Sequence, residues 1–400
     1  MAMDPSLDSS DNPFVQQVAG EYFVGREGQL KQFHGSLNGL KNGKPQHFYI
    51  AGPTGSGKTS YLQKLVDIAN EEGTLGVLST LDYAVPAYDH IASIVKAVAK
   101  AIDAKTGSNN LTRDWNKKAS SIHFRLSGGD RLLGGDLQSD LSFLQEESNG
   151  VRLPKVVVCI DEGQRMEAAA LSALKNVLQH VSDFLLILSL RVEDENTSVV
   201  EAGRAILDRK AADAEGDYGA ARFFAKGVAL GPFDTEKEGK CCVTRRLAGN
   251  QVSFSDELIS LVIDVAGNLP RRIIEFASEI YEHVAETESN IATEEVLRKI
   301  FKVRHGDIFT RALELRSQLS DSAQSALKIM LSSGRSVKAD DLSAKLYPGV
   351  PTQAASTLAK ALKGDLDRAC QSGFCLDVDG QYRIGDPLRR YALRLALETE

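Results

Sequence analysis

The chain has 400 residues, too many for one ordinary hydrophobic core, so two or three domains are expected. A 42% hydrophobic and 25% charged composition excludes the disordered and fibrous classes, and a net charge of −7 argues against a surface that coats polyanions along its whole extent. No apolar run approaches the roughly 18 residues of a membrane span, and the five cysteines (Cys159, Cys241, Cys242, Cys370, Cys375) form no C-x-x-C pair or disulfide-like framework, so reduced thiols, a cytoplasmic location and no membrane role are expected.

In chain order, residues 1–20 open with a stretch rich in Asp and Ser and are expected to be a disordered leader. Tyr22-Phe23-Val24-Gly25-Arg26-Glu27 then precedes a helical run through Leu30, Phe33 and Leu37. The apolar stretch His47–Ala51 reads as a strand, and Tyr61–Val66 begins a second helix. Between them stands Gly52-Pro53-Thr54-Gly55-Ser56-Gly57-Lys58-Thr59, which fills every fixed position of the phosphate-loop pattern G-x-x-x-x-G-K-[ST]. The chemistry explains the residue types. Glycines let successive N–H groups converge on one anion, at the positive end of the following helix, which begins near Thr59 and Ser60. Lys58 adds a charge for the β- and γ-phosphates, and Thr59 offers a hydroxyl to Mg²⁺. A nucleoside triphosphate, ATP or its product ADP, is the expected ligand.

Gly76–Leu81 reads as a second strand, and Tyr88–Ile102 as a helix with Ile91, Ile94, Val95, Val98 and Ile102 on one face. From about Lys105 to Gly135 the pattern breaks into a long surface excursion. Its Leu126-Ser127-Gly128-Gly129-Asp130 imitates the ABC transporter signature, but the sequence around it does not follow that family. Lys155–Glu162 is a buried strand ending in two carboxylates. Downstream of a phosphate loop, Asp161 is expected to hold Mg²⁺ through its water shell, and Glu162 to orient and deprotonate the attacking water. Phe184–Arg191 is a further buried strand whose end carries Arg191, where parallel sheets meet ligands. To Phe233 the alternation of strands and helices predicts a three-layer α/β domain over 21–233.

Beyond Asp234 the strands are expected to cease. Glu236–Leu247, Asp256–Val265, Arg271–Val284 and Thr293–Phe301 read as the four helices of a small domain over 234–305, broken at Gly267-Asn268-Leu269-Pro270. Residues 306–400 form a third domain. Ser322–Ser332, Lys338–Leu346 and Thr352–Gln371 read as helices, Asp379-Gly380 as the turn of a hairpin, and Asp386-Pro387 as the cap of a last helix. Three helices followed by a hairpin is the plan of a winged helix-turn-helix.

This order resembles the AAA+/STAND branch of P-loop ATPases over nearly all of residues 20–400, and is most like the prokaryotic initiator-like, origin-recognition-type ATP-binding proteins. Phe23–Glu27 looks like their G-R-E box, which implies that Gly25 and Arg26 lie near the adenine. Ile160-Asp161-Glu162-Gly163-Gln164 looks like their I-D-E-x-Q. Ala221-Arg222-Phe223-Phe224 is similar to the segment carrying an arginine that acts in trans on a neighbouring subunit's γ-phosphate, which implies self-association, with Arg209 as the alternative finger. Two positions depart from the initiator pattern. Ser189-Leu190-Arg191 is more like the T-T-R of NB-ARC proteins, where the arginine senses the γ-phosphate. Gly267–Arg271 fits either a STAND G-x-P element, with Pro270 on the adenine, or a lid arginine, with Arg271 on the phosphates. The resemblance implies a Mg²⁺-dependent ATPase with a helical lid that engages DNA through residues 352–394. The rival is a STAND-type switch that docks a partner protein without DNA; a metabolic kinase is disfavoured because no acceptor-substrate domain is recognisable. The third helix offers Lys360, Lys363 and Arg368 against Asp365 and Asp367, the wing Arg383, and the last helix Arg389, Arg390 and Arg394.

Overall fold

The structure is a computed structural model, and the residues described are 12–15, 20–81, 87–107, 155–178, 182–192, 198–213, 223–224, 226–287 and 290–399. The excursion after Lys105, its imitation of an ABC signature, and Arg222 fall on residues outside this set. The chain divides into two compact units, 16–233 and a second built on 234–400 with the residues before Gln16.

In the first unit the elements run α1 (Glu27–Lys41), β1 (Phe48–Gly52), α2 (Lys58–Glu71), β2 (Leu75–Thr80), α3 (Ala87–Thr106), β3 (Val156–Asp161), α4 (Ala168–Leu178), β4 (Phe184–Arg191), α5 (Val199–Asp213) and β5 (Lys226–Ala229). The five strands form one sheet in the order β2-β3-β4-β1-β5, and every neighbouring pair is parallel. Alternation along each strand builds the three layers. Phe48, Ile50, Val157, Cys159, Leu185 and Ile187 pack with α1 and α2, while Tyr49, Ala51, Val156, Val158, Leu186 and Leu188 pack with α3, α4 and α5. Burial on both faces is why these strands read as unbroken apolar runs. Cys159 is a small core residue, and among the described residues all five cysteines are free.

His47 stands one residue before β1 and takes over part of its ladder. Its Nδ1 accepts the Leu186 N–H at 3.0 Å, and its ring stacks on Phe223 with centroids 4.0 Å apart. Burial pushes its pKa from 6.5 down to about 4. The folded form therefore binds the proton less readily than the unfolded chain, and protonation favours unfolding. This contribution is complete above pH 6.5 and is lost as pH falls toward about 4, on the order of 3 kcal/mol. Urea unfolding at pH 7 and pH 4.5 measures it. A His47→Asn variant, with an acceptor that does not titrate, should show a clearly smaller difference, and an equal difference would remove His47 from the account.

In the second unit the order is α6 (Glu236–Leu247), β6 (Ser253–Phe254), α7 (Asp256–Ala266), α8 (Pro270–Ala285), β7 (Ile291–Ala292), α9 (Glu294–Arg304), α10 (Gly306–Gln318), α11 (Asp321–Ser333), β8 (Val337–Lys338), α12 (Ala339–Leu346), α13 (Thr352–Gln371), β9 (Cys375–Val378), β10 (Gln381–Ile384) and α14 (Pro387–Glu398). Strands do not cease at Asp234. The short β6 and β7 pair in parallel, and β8 joins the expected hairpin in an antiparallel sheet ordered β8-β10-β9. The hairpin turns on Asp379 (φ 54°) and Gly380 (φ 76°), as a two-residue primed turn requires. Helix α10 is not among the expected elements either.

The leader is not disordered throughout. Asn12 donates from Nδ2 to Ser278 Oγ (2.9 Å) and Glu282 Oε1 (2.8 Å) on α8, and Phe14 is buried against Phe254 and Tyr281. The polar composition around it hides one aromatic anchor. Helix α14 packs against α7, α10 and α11, so it is an internal element of this unit. Among the described residues no helix is long and apolar enough to cross a membrane.

Candidate functional site

The site lies at the C-terminal ends of β1, β3 and β4, where the parallel strands point their last residues at one place. Gly52 closes β1 against a neighbour that leaves no room for a side chain: a Cβ there would meet the Leu230 carbonyl oxygen at 2.2 Å. Pro53, Thr54, Gly55 and Ser56 form the loop, with Gly55 and Gly57 at φ 83° and 87°, and α2 starts at Lys58. This is the strand, left-handed turn and helix N-terminus that an anion nest needs.

Lys58 Nζ donates to the carbonyl oxygens of Gly52 (2.9 Å) and Pro53 (2.8 Å) and is nearly buried. Burial lowers its pKa, Asp161 and Glu162 raise it in part, and Arg191 lowers it further. An ammonium held in this way gains from any anion that enters the loop. Thr59 and Ser60 follow in the first turn of α2.

Asp161 ends β3 with both carboxylate oxygens engaged. Oδ2 accepts the Thr59 hydroxyl at 2.6 Å, and Oδ1 accepts the Ser189 hydroxyl at 2.7 Å and the Glu162 N–H at 2.9 Å. The donor set fits a hard divalent cation held together with phosphates. Thr59 can give an oxygen lone pair while its own O–H keeps donating to Asp161, and a hydroxyl beside a carboxylate is an all-oxygen arrangement. Among the described residues no group of three or more His, Cys, Asp or Glu could cage a metal alone.

Glu162 follows in a left-handed conformation (φ 57°), which turns its side chain off the strand. Its Oε2 accepts from Gln164 Nε2 at 2.6 Å and lies 3.4 Å from the Arg165 guanidinium, while its Oε1 makes no hydrogen bond among the described residues. The geometry divides the two carboxylates. Asp161 is buried with both oxygens hydrogen-bonded, whereas Glu162 is partly exposed and keeps Oε1 without a hydrogen bond among the described residues.

Arg191 sits beside Gly52 in the β1–β4 register with its side chain exposed, and its backbone N–H donates to Gln164 Oε1 at 3.0 Å. The structure thus gathers Lys58, Thr59, Asp161, Glu162 and Arg191. It adds Ser189 and Gln164, whose roles depend on strand register and turn geometry. Arg26 lies below the loop, buried, donating to the carbonyls of Ser56 (3.2 Å), Gly231 (2.7 Å) and Pro232 (3.1 Å), with its guanidinium 5.1 Å from the Phe233 ring. Gly25 and Arg26 both have φ 69°. Pro270 is the first residue of α8, and Arg271 is exposed and paired with Glu275 at 2.8 Å; both belong to the second unit. Arg209 is exposed on α5.

Residues 22–189 match the family model described as AAA ATPase domain. The matched stretch carries the phosphate loop, the strands β1, β2 and β3 and most of β4 of the parallel sheet. No curated protein matches the chain. Among solved structures it is similar to the ORC2 protein of Aeropyrum pernix in its ADPNP and ADP complexes (14% identity, TM-score 0.51, covering 97% of each chain). It is also similar to the Walker-type ATPase PABY2304 of Pyrococcus abyssi (17% identity, TM-score 0.50, covering 96% of this chain and 99% of that one). The RuvB Holliday junction branch migration motor of Thermotoga maritima aligns at 17% identity and TM-score 0.45, over 97% of this chain and 100% of that one. At these identities the likeness is one of fold.

Proposed function

We propose that the chain is a Mg²⁺-dependent ATPase whose nucleotide state sets the disposition of a helical lid (234–305) and a winged helix (306–400), used to engage DNA in the cytoplasm. The observation that carries the reading is the 2.6 Å bond between Thr59 and Asp161 beside buried Lys58, with Glu162 keeping one oxygen for water. That the similar ORC2 structure contains ADPNP and ADP adds support. Bound Mg²⁺–ATP would supply the electrophilic γ-phosphoryl group and the divalent charge that offsets its negative charge. The chain's own residues do the rest. The loop amides and Lys58 would hold the phosphates, Thr59 and Asp161 would hold the cation side, Glu162 would take the proton of the attacking water, and Arg191 would sense the γ-phosphate. Pro270 or Arg271 would report nucleotide state to the second unit, and Arg222 would act in trans in a self-associated form, so that activity per subunit rises with protein concentration.

ATP binding and phosphate release, with and without Mg²⁺, test the reading on the parent and on Lys58→Ala. The variant should lose roughly a hundredfold or more in ATP affinity, because no other cation stands in the loop to replace a charge-assisted contact. Normal binding and turnover in Lys58→Ala would end it.

The DNA part rests on fewer cations than the sequence offers. Arg368 bonds Gln318 O (2.9 Å) and Asp365 (3.0 Å), Arg389 bonds Gly373 O (2.7 Å), Arg390 pairs with Asp264, and Arg394 pairs with Glu398 (3.0 Å). Lys360, Lys363 and Arg383 stay exposed. Three phosphate contacts give a slope of log K against log salt of about −3. A flat salt dependence would favour the second reading, a STAND-type switch that docks a partner protein. The exposed Leu376 and Val378 on β9, and the near balance of 13 Lys and Arg against 12 Asp and Glu over 306–400, support that alternative.

A further inference from the structure

Beyond Asp161, β3 no longer pairs with β4, yet the chain stays on it. Residues 163–165 form one 3-10 turn laid flat on the end of β4. The approach is so close that a Cβ on Gly163 would meet Leu188 Cδ1 at 2.2 Å and the Ser189 carbonyl oxygen at 2.8 Å. Gln164 completes the contact with its side chain. The Arg191 N–H can only donate, so the amide oxygen of Gln164 must face it, at 3.0 Å. That choice leaves the amide nitrogen to donate to Glu162 Oε2, at 2.6 Å. One side chain therefore holds the carboxylate of Glu162 by one end and the last peptide of β4 by the other. The Arg165 contact to the same oxygen is longer, at 3.4 Å, and Arg165 is also drawn toward the Leu81 carbonyl (2.8 Å).

We propose that Gln164 is a positioning residue for hydrolysis, which ties the orientation of the Glu162 carboxylate to the position of the Arg191 peptide at the end of β4. This rests on the ATPase reading given above. By fixing Oε2, Gln164 leaves Oε1 as the oxygen presented to water. By gripping Arg191, it makes Glu162 follow any displacement of β4's end. The coupling runs through two hydrogen bonds and no intervening backbone, so it needs no large motion. A side chain that fills the same space without an amide should leave ATP binding intact and release Glu162 from its one orientation.

The test is a double-mutant cycle read by single-turnover phosphate release and by ATP affinity. Gln164→Met should slow hydrolysis by about tenfold to a hundredfold while ATP affinity changes by less than about twofold. In the Glu162→Gln background the same substitution should cause no further loss, because its effect passes through that carboxylate. Gln164→Glu, which keeps an acceptor for Arg191 but faces Glu162 with a like charge, should also be slow. It should recover in part as pH is lowered and the introduced carboxyl gains a proton to donate. It also carries the test if Gln164→Met does not fold, as checked by thermal unfolding. An active parent, a slow Glu162→Gln and a Gln164→Met at the parental rate would overturn the proposal alone. So would equal losses from Gln164→Met in both backgrounds, or a rate loss that tracks ATP affinity. A parent without activity, or Glu162→Gln at the parental rate, would overturn the ATPase reading and this proposal with it.

Discussion

Glu162→Gln is expected to bind ATP with parental affinity and to hydrolyse it roughly a hundredfold to ten-thousandfold more slowly. The expectation follows from the division of labour at the end of β3. Asp161 is buried, with both oxygens already accepting hydrogen bonds from Thr59, Ser189 and the Glu162 peptide, and its remaining acceptor capacity lies on the Thr59 side, where the cation is expected. Glu162 has one engaged oxygen and one open. The amide of a glutamine fills the same volume and can still accept the Gln164 bond, but it cannot take a proton. In the proposed reading ATP binding relies on the loop and Lys58, which the substitution does not touch. Equilibrium binding of a fluorescent ATP analogue and a quenched-flow measurement of phosphate release separate the two quantities. A variant that hydrolyses at the parental rate would move the base elsewhere, and one that fails to bind would mean Glu162 supports the fold of the site.

Part of this site is legible in the amino-acid sequence because its chemistry is local. A phosphate loop is contiguous, and its glycines, Lys58 and Thr59 carry their meaning in their spacing. The Asp161–Glu162 pair is legible for a similar reason, since it closes an apolar run of strand length. What stays hidden depends on which strands become neighbours. Ser189 reaches Asp161 only because β3 and β4 are adjacent and in a particular register, Ile160 opposite Leu188. In the sequence, Arg191 is the more conspicuous residue of that strand end. Gln164 is visible as part of a motif, but its grip on Arg191 arises from a turn that follows the strand and has no periodicity to read.

The second unit shows the same contrast. The hairpin at Asp379-Gly380 and the Asp386 cap are local, and both are present, with Asp386 accepting the N–H groups of Leu388 and Arg389. Strands β6, β7 and β8 have two residues each, and only their pairing partners define them. Helix α10 is the more readable omission, since Ala312, Leu315 and Leu319 are buried at spacings of three and four. The cations are the more instructive case. Counting Arg368, Arg389, Arg390 and Arg394 toward a nucleic-acid surface assumes that charges point outward, whereas each is paired with an acid or a carbonyl of its own unit. Asp365 and Asp367 are likewise committed, to Ser320 and Tyr382.

Arg26→Ala should be the most destabilising single substitution outside the apolar core of the first unit. A guanidinium is placed under the phosphate loop in a left-handed backbone conformation, which costs a non-glycine residue about 1–2 kcal/mol. The conformation persists because it aims the side chain at three carbonyls in two segments, Ser56 in the loop and Gly231 and Pro232 at the end of the unit, with Phe233 against its face. Truncation removes these charge-assisted bonds and leaves carbonyls facing a void. With each bond to a charged donor contributing about 1.5–3 kcal/mol, a loss of about 3–5 kcal/mol is expected, after allowing for partial access of water to the freed groups. For a domain of this size that lowers the melting temperature by roughly 6–20 °C. Arg26→Lys should recover less than half, because a single ammonium cannot span acceptors that the planar fork reaches together. The relevant transition in a thermal scan of the full chain is the one that ATP shifts upward. The same variants should also weaken ATP binding, since the Ser56 peptide loses its support from below. A melting temperature unchanged in Arg26→Ala, or fully restored by lysine, would show that the three carbonyls do not need the guanidinium.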